Sequence, residues 1–204
     1  MRESAPLPRF NMPGWICRFL VSILALPTLA VTPVMADEAL WSTLKAGGKV
    51  VLMRHAAIER GSGRPLHLMP GCDGEMRLST AGQRQAEAVG KAFRQRKIPV
   101  GNVLASPYCR TMETARVAFG SAKPSTVLHL LESLDAREAA RRTEEVTKLI
   151  GSYTGTANLV LVTHQPNVEA IALESVEPAG MLVLAPKGGS DFEVLGRLAA
   201  PKGE

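Results

Sequence analysis

The sequence predicts a three-layer α/β/α sandwich on a mostly parallel sheet, with an antiparallel hairpin at the C-terminal edge. Three observations carry this. Beyond residue 37, β-branched apolar runs alternate with stretches of helical spacing. Two of those runs, Lys49-Val-Val-Leu-Met-Arg54-His55 and Asn158-Leu-Val-Leu-Val-Thr-His164, pass straight into a histidine, as strands do when they deliver side chains to the carboxyl edge of an open sheet. Near the end, Met181–Pro186 and Phe192–Leu198 flank Lys187-Gly-Gly-Ser190, a hairpin signal with glycines for the turn.

In chain order, residues 1–36 do not read as fold. Arg2, Arg9 and Arg18 precede an apolar run from Phe19 to Ala30, and Val34-Met35-Ala36 has the form of a small-residue cleavage site. The expectation is a secretory signal peptide over 1–36, a folded domain over 37–204 and a periplasmic or secreted location. The apolar run is shorter than the ~20 residues of a spanning helix and Pro27 interrupts it, so no stable membrane anchor is expected. Cys17 precedes the run, the wrong side for lipid attachment, and Met12 is an alternative start.

Leu40, Trp41 and Leu44 share a helical face, and Gly47-Gly48 stops that helix before a strand over 49–53. Residues 56–78 hold Gly61, Gly63, Pro65, Pro70, Gly71 and Gly74, which defeats helix and strand alike; a loop this long in a small domain is usually functional. Ser79 is placed to cap a helix running to about Arg96, with Ala86, Val89 and Phe93 inward, and Gly82 suits close packing of that helix. A second strand spans 102–106. Pro107 suits the first turn of the helix that follows, over 108–119 with Met112, Ala115 and Phe119 inward. Residues 127–131 read as a third strand, 136–152 as a polar-faced helix, 159–163 as a fourth strand and 166–174 as a short helix opened by Pro166.

Of the formal net charge of +5, three arginines and one glutamate lie in the expected leader, leaving +3. Basic residues form no stripe interleaved with aromatics, so nucleic acid is not the expected partner. Cleavage would leave two cysteines, Cys72 and Cys109, in an oxidising compartment. They are a disulfide candidate; the alternative is a small core residue and an idle surface thiol.

The strand ends bring Arg54, His55 and His164 toward one edge, and Asn102–Arg110 brings Arg110 to the same edge at a helix start. Two imidazoles and two guanidiniums with no carboxylate expected beside them suit an anion, above all a phosphoryl group. His67 and His129 lack this context and read as loop surface and strand packing.

Arg54-His55-Ala56 after a strand, Leu78-Ser-Thr-Ala-Gly82 before a helix, Ser106-Pro-Tyr-Cys-Arg110, and Thr163-His164 after a late strand together resemble the histidine phosphatase superfamily, over essentially residues 49–198. Ala56 stands where that family usually has glycine, a change that removes no reacting atom. The resemblance is greatest to small exported members with the same paired cysteines. It implies a metal-independent phosphomonoesterase without a cofactor, in which His55 is the nucleophile and Arg54, Arg110 and His164 bind the phosphoryl oxygens. The general acid is Glu132, Asp135 or neither. Exported relatives that remove phosphate from lipopolysaccharide-core heptose make an envelope-glycan or other small-molecule phosphate the expected substrate. Two other classes compete: an anion-binding envelope protein that has kept the pocket without turnover, and a metal hydrolase on His55 and His164. The second lacks any His-x-x-x-His or Cys-x-x-Cys spacing.

Overall fold

A six-stranded sheet in the order β3-β2-β4-β1-β5-β6 forms the middle layer of the computed structural model, which describes residues 33–59, 61 and 72–201. The strands are β1 (Val50–Arg54), β2 (Val100–Ala105), β3 (Lys123–Pro124), β4 (Asn158–Thr163), β5 (Met181–Gly188) and β6 (Asp191–Leu198). The first four are mutually parallel, while β5 runs antiparallel to β1 and closes on β6 as the expected edge hairpin. The helices are α1 (Pro33–Lys45), α2 (Thr80–Gln95), α3 (Cys109–Phe119), α4 (Ala136–Gly151) and α5 (Gln165–Ala172). The leader reading lies outside the described residues except for its last four, which open α1. Cys17, His67 and most of the loop after Ile58 lie outside them too.

Side-chain alternation along the buried strands builds two cores from one sheet. Val51, Met53, Val160, Val162, Met181 and Val183 face α1, α2 and α3, meeting Trp41, Val89, Phe93 and Met112. Val50, Leu52, Leu159, Leu161, Leu182 and Leu184 face the other way, against Val146 and Ile150 of α4 and Val168 and Ile171 of α5. Both faces of the central strands are therefore covered, which is why these strands are apolar without interruption.

Local chemistry sets the helix ends. Ser79 Oγ accepts the Gly82 N–H at 3.0 Å and starts α2. Gly82 itself is required, since a Cβ there would lie 1.9 Å from the Ala57 carbonyl oxygen. Asp135 caps α4 in the same way, its carboxylate accepting the Glu138 N–H at 2.9 Å. α1 is stopped by Gly47, whose φ of +75° and 2.2 Å clearance from its would-be Cβ to the Thr156 carbonyl admit no other residue without movement.

Two local expectations are corrected. Residues 127–131 are not a strand: they form a 3₁₀ turn at Thr126–Leu128 and lead into another at Leu131–Ser133, while the sheet position beside β2 is held by the two-residue β3. The carbonyls that a strand would offer to a neighbour are taken by side chains instead. Asn167 Nδ2 donates to Leu128 O and His129 O, and Thr163 Oγ1 donates to Leu128 O. Pro124, without an N–H, ends β3. Pro107 precedes Tyr108, the residue before α3, and so lies outside the helix rather than in its first turn.

Candidate active site

The parallel register aligns the carboxyl ends of β1, β4 and β2. The His55 N–H donates to Thr163 O and the Ser106 N–H to Val162 O, each at 2.9 Å, so the residues that follow the three strands emerge at one level. His55 follows β1, His164 follows β4 and opens α5, and Arg110 lies in the first turn of α3. His55, His164 and Arg110 are 8%, 1% and 3% exposed, and Arg54 is partly buried.

The four expected pocket residues come together around two ring contacts. The imidazoles of His55 and His164 meet edge to face with centroids 5.6 Å apart. Tyr108, fully buried, presents its ring to His164 at 5.1 Å and to the Arg110 guanidinium at 4.7 Å. Arg54 ends β1; its Nη1 donates to Val176 O at 3.0 Å and its buried Nε has no hydrogen-bond partner among the described residues.

Hydrogen bonding fixes the chemistry of His55. Its Nδ1 lies 2.8 Å from Ala56 O, a group that can only accept, so Nδ1 carries the proton and Nε2 keeps its lone pair. Burial pushes the His55 pKa down to about 4; the charges of Arg110 and Arg54 push the same way, against the bond to Ala56. His164 is held well below the usual histidine range, by burial first and then by Arg110, His55 and His129. Burial also lowers Arg110, opposed by Tyr108 and Glu75, and lowers Arg54, opposed by Glu177 and Glu169; both guanidiniums keep their charge. The result is two neutral imidazoles between two fixed cations, at the amide end of α3, whose dipole adds further positive character.

The backbone around His55 is tied on both sides. The Ala56 N–H donates to Thr114 Oγ1 at 3.0 Å, and that hydroxyl donates to Arg110 O at 2.6 Å, linking the two motifs directly. The Ala57 N–H donates to Gln85 Oε1 at 2.9 Å. Cys72 and Cys109 form a disulfide that ties the loop after β1 to the start of α3.

Four residues around the pocket were not given a place in it by the sequence. Glu75 is buried, accepts the Cys109 N–H at 2.8 Å and acts on Arg110 by charge, so a carboxylate does stand beside the cations. Nothing in its Gly-rich loop marks it. His129, expected to pack in a strand, instead lies 5.1 Å from the Tyr108 ring, with Nδ1 3.1 Å from Ser133 Oγ, which also accepts from the Tyr108 hydroxyl. Ser106 and Tyr108 belong to a segment the sequence singles out, but their roles depend on neighbours from other strands. Glu132 is exposed on the 131–133 turn and joins none of these contacts, and Asp135 is occupied as the α4 cap. Among the described residues no three His, Cys, Asp or Glu side chains are grouped as a metal ion would need.

The fold recurs in solved structures. The protein histidine phosphatase SixA, complexed with tungstate, superposes with a TM-score of 0.57 at 14% identity, over 74% of this chain and 97% of that one. Glucosyl-3-phosphoglycerate phosphatase of mycobacteria gives 0.51 at 16% identity, over 67% and 92%. Phosphoserine phosphatase of Entamoeba histolytica, bound to 3-phosphoglyceric acid, gives 0.52 at 14% identity, over 74% and 96%. At these identities the likeness is one of fold. No curated protein sequence matches the chain. Residues 50–138, from β1 to the first turn of α4 and so including Arg54, His55 and Arg110, match the family model of the histidine phosphatase superfamily (branch 1). The matched stretch is just under half of the chain; the six-stranded sheet brings His164, which lies beyond it, beside His55.

Proposed function

We propose that this chain is an exported phosphomonoesterase that works through a phosphohistidine on His55, without a metal or cofactor. The match of residues 50–138 to the histidine phosphatase family model supports phosphatase activity, and the observation that carries the mechanism is the 2.8 Å contact of His55 Nδ1 with Ala56 O in a buried site. It leaves Nε2 neutral and nucleophilic. Nε2 attacks phosphorus, the N–P bond forms and the P–O bond to the leaving group breaks. Water then attacks phosphorus as its proton passes to the carboxylate that protonated the leaving group; the N–P bond breaks, returning the histidine and releasing inorganic phosphate. Arg54, Arg110 and His164 hold the non-bridging oxygens, whose charge persists through both transfers. Glu132, on the turn next to the Ser133 that holds Tyr108, is the carboxyl group assigned to protonate the leaving alkoxide.

The substrate class follows from the leader reading of residues 1–36: an envelope-glycan phosphate, such as a heptose phosphate of a lipopolysaccharide core, or another small phosphate ester met outside the cytoplasm. The test is hydrolysis of p-nitrophenyl phosphate in EDTA by wild type, His55→Ala and Glu132→Gln. Wild type turns over, His55→Ala is folded and inactive, and Glu132→Gln loses far more on an alkyl phosphate than on the aryl ester, whose leaving group needs no proton. Turnover above a few per cent in His55→Ala removes the nucleophile assignment. A folded wild type that binds vanadate but hydrolyses nothing is the anion-binding protein instead.

A further inference from the structure

The hydrogen bond at His164 goes beyond anion binding by a generic imidazole. Ser106 follows β2 and is fully buried, and its Oγ lies 2.9 Å from His164 Nε2. That nitrogen is the only hydrogen-bond partner of the Ser106 hydroxyl among the described residues. The other ring nitrogen of His164, Nδ1, is buried and has no partner among them.

The donor count separates the two neutral tautomers. With the proton on Nε2, the ring donates to Ser106 Oγ, the hydroxyl hydrogen has no acceptor and Nδ1 buries a bare lone pair. With the proton on Nδ1, the hydroxyl donates to Nε2, and only the Nδ1–H stays unsatisfied. The second arrangement leaves one buried polar group open instead of two, and each such group is costly. The open group is then a donor turned away from Ser106. In the sheet order, β4 lies between β2, which carries Ser106, and β1, which carries His55, and the rings of His55 and His164 are in edge contact.

We infer that Ser106 is a positioning residue that holds His164 as the Nδ1–H tautomer, so that this ring presents a proton rather than a lone pair to the phosphoryl oxygens. This rests on the phosphatase reading above, since it takes a phosphoryl group as the missing acceptor. The two histidines then share one tautomer and divide the work: His55 uses its free Nε2 lone pair on phosphorus, and His164 spends its Nε2 lone pair on Ser106 so that Nδ1–H can donate. Remaining neutral, His164 donates without having to take up a proton from solvent in a site already holding two guanidiniums.

Two-dimensional ¹H–¹⁵N spectra of the ¹⁵N-histidine-labelled full chain, assigned with His55→Ala and His164→Ala, read the tautomer directly. In ligand-free wild type, His164 should show a protonated Nδ1 and an unprotonated Nε2. In Ser106→Ala that preference should be lost and orthovanadate affinity should fall about tenfold, the scale of one hydrogen bond, while Ser106→Thr, which keeps the hydroxyl, should restore both. A wild-type His164 protonated on Nε2, or a Ser106→Ala protein with tautomer and vanadate affinity unchanged, overturns the inference. Wild-type spectra decide it even if the alanine variant fails to fold. Absence of vanadate binding and turnover in wild type would instead count against the phosphatase reading, with the ligand-free tautomer still reporting on Ser106.

Discussion

In the proposed mechanism His55 attacks an anion and has to stay unprotonated next to the cations that hold it, and burial and the arginines both act in that direction. The pKa near 4 has two consequences of known sign. If His55 is the nucleophile, as proposed, it is competent well below neutrality in the free protein, so the acid limb of kcat/KM assigned to it falls near pH 4 rather than near 6.5; a pH series with an aryl phosphate checks it, with the substrate's own titration subtracted. For stability, the unfolded chain takes up this proton at its ordinary pKa of 6.5 and the folded chain does so only near 4. Stability is therefore full above 6.5 and declines as pH falls toward 4, by on the order of 3 kcal/mol. Urea unfolding of wild type and His55→Ala at the two ends of that window should show a shallower decline in the variant. The positions of Arg54, His55, Arg110 and His164 are legible in the sequence because each ends or directly follows a strand or lies in the first turn of a helix, so local pattern alone gives its destination. Glu75, Ser106, Tyr108 and His129 are not, because each acquires its partner only when distant segments pack: Glu75 with Cys109, Ser106 with His164, and Tyr108 with Ser133.

Among the elements, α3 carries the most consequence for the pocket. Its first turn holds Arg110, its N–H at Cys109 is held by Glu75, and Cys109 is bridged to Cys72 across 37 residues. Reduction, or Cys72→Ser with Cys109→Ser, should lower stability by about 2–4 kcal/mol and weaken phosphate binding through Arg110. Thermal melts and phosphate inhibition, each with and without reductant, check the two effects; a reduced protein that melts lower but binds phosphate equally well would confine the bridge to stability. Helix starts were readable wherever a side chain makes the cap, as at Ser79, and strands wherever both faces are apolar, as at β1 and β4. The stretch 127–131 misled for a physical reason. Its apolar alternation is real, with Leu128 and Leu130 buried, but it serves two 3₁₀ turns, and the carbonyls of Leu128 and His129 are claimed by Asn167 and Thr163. Periodicity reports which residues go inward and cannot report which groups their carbonyls will meet.

At the scale of the molecule, the two ends of the sheet differ. The carboxyl end carries the candidate active site, while the opposite end is joined by Asn158, the first residue of β4. Its Nδ2 donates to Leu44 O at 2.7 Å and Pro99 O at 2.8 Å, and its Oδ1 accepts the Lys49 N–H at 3.1 Å, so one buried amide connects α1, the entry to β1 and the entry to β2. Asn158→Ala leaves these groups without that partner and should cost about 2–4 kcal/mol, lowering Tm by about 5–15 °C, with kcat per folded molecule unchanged. Melting curves with active-site titration separate the two. The three-layer architecture was readable from alternation and strand-helix order; the sheet order was not, because it depends on which strands meet across more than a hundred residues. That order also sets a schedule for the making of the protein. β1 leaves the ribosome early, yet both strands that flank it, β4 and β5, come from the last quarter of the chain. A polypeptide halted before residue 158 carries its central strand with two bare edges, the kind of surface that pairs with other chains. Truncated products of this protein should therefore aggregate, and the pocket can exist only once synthesis is nearly complete.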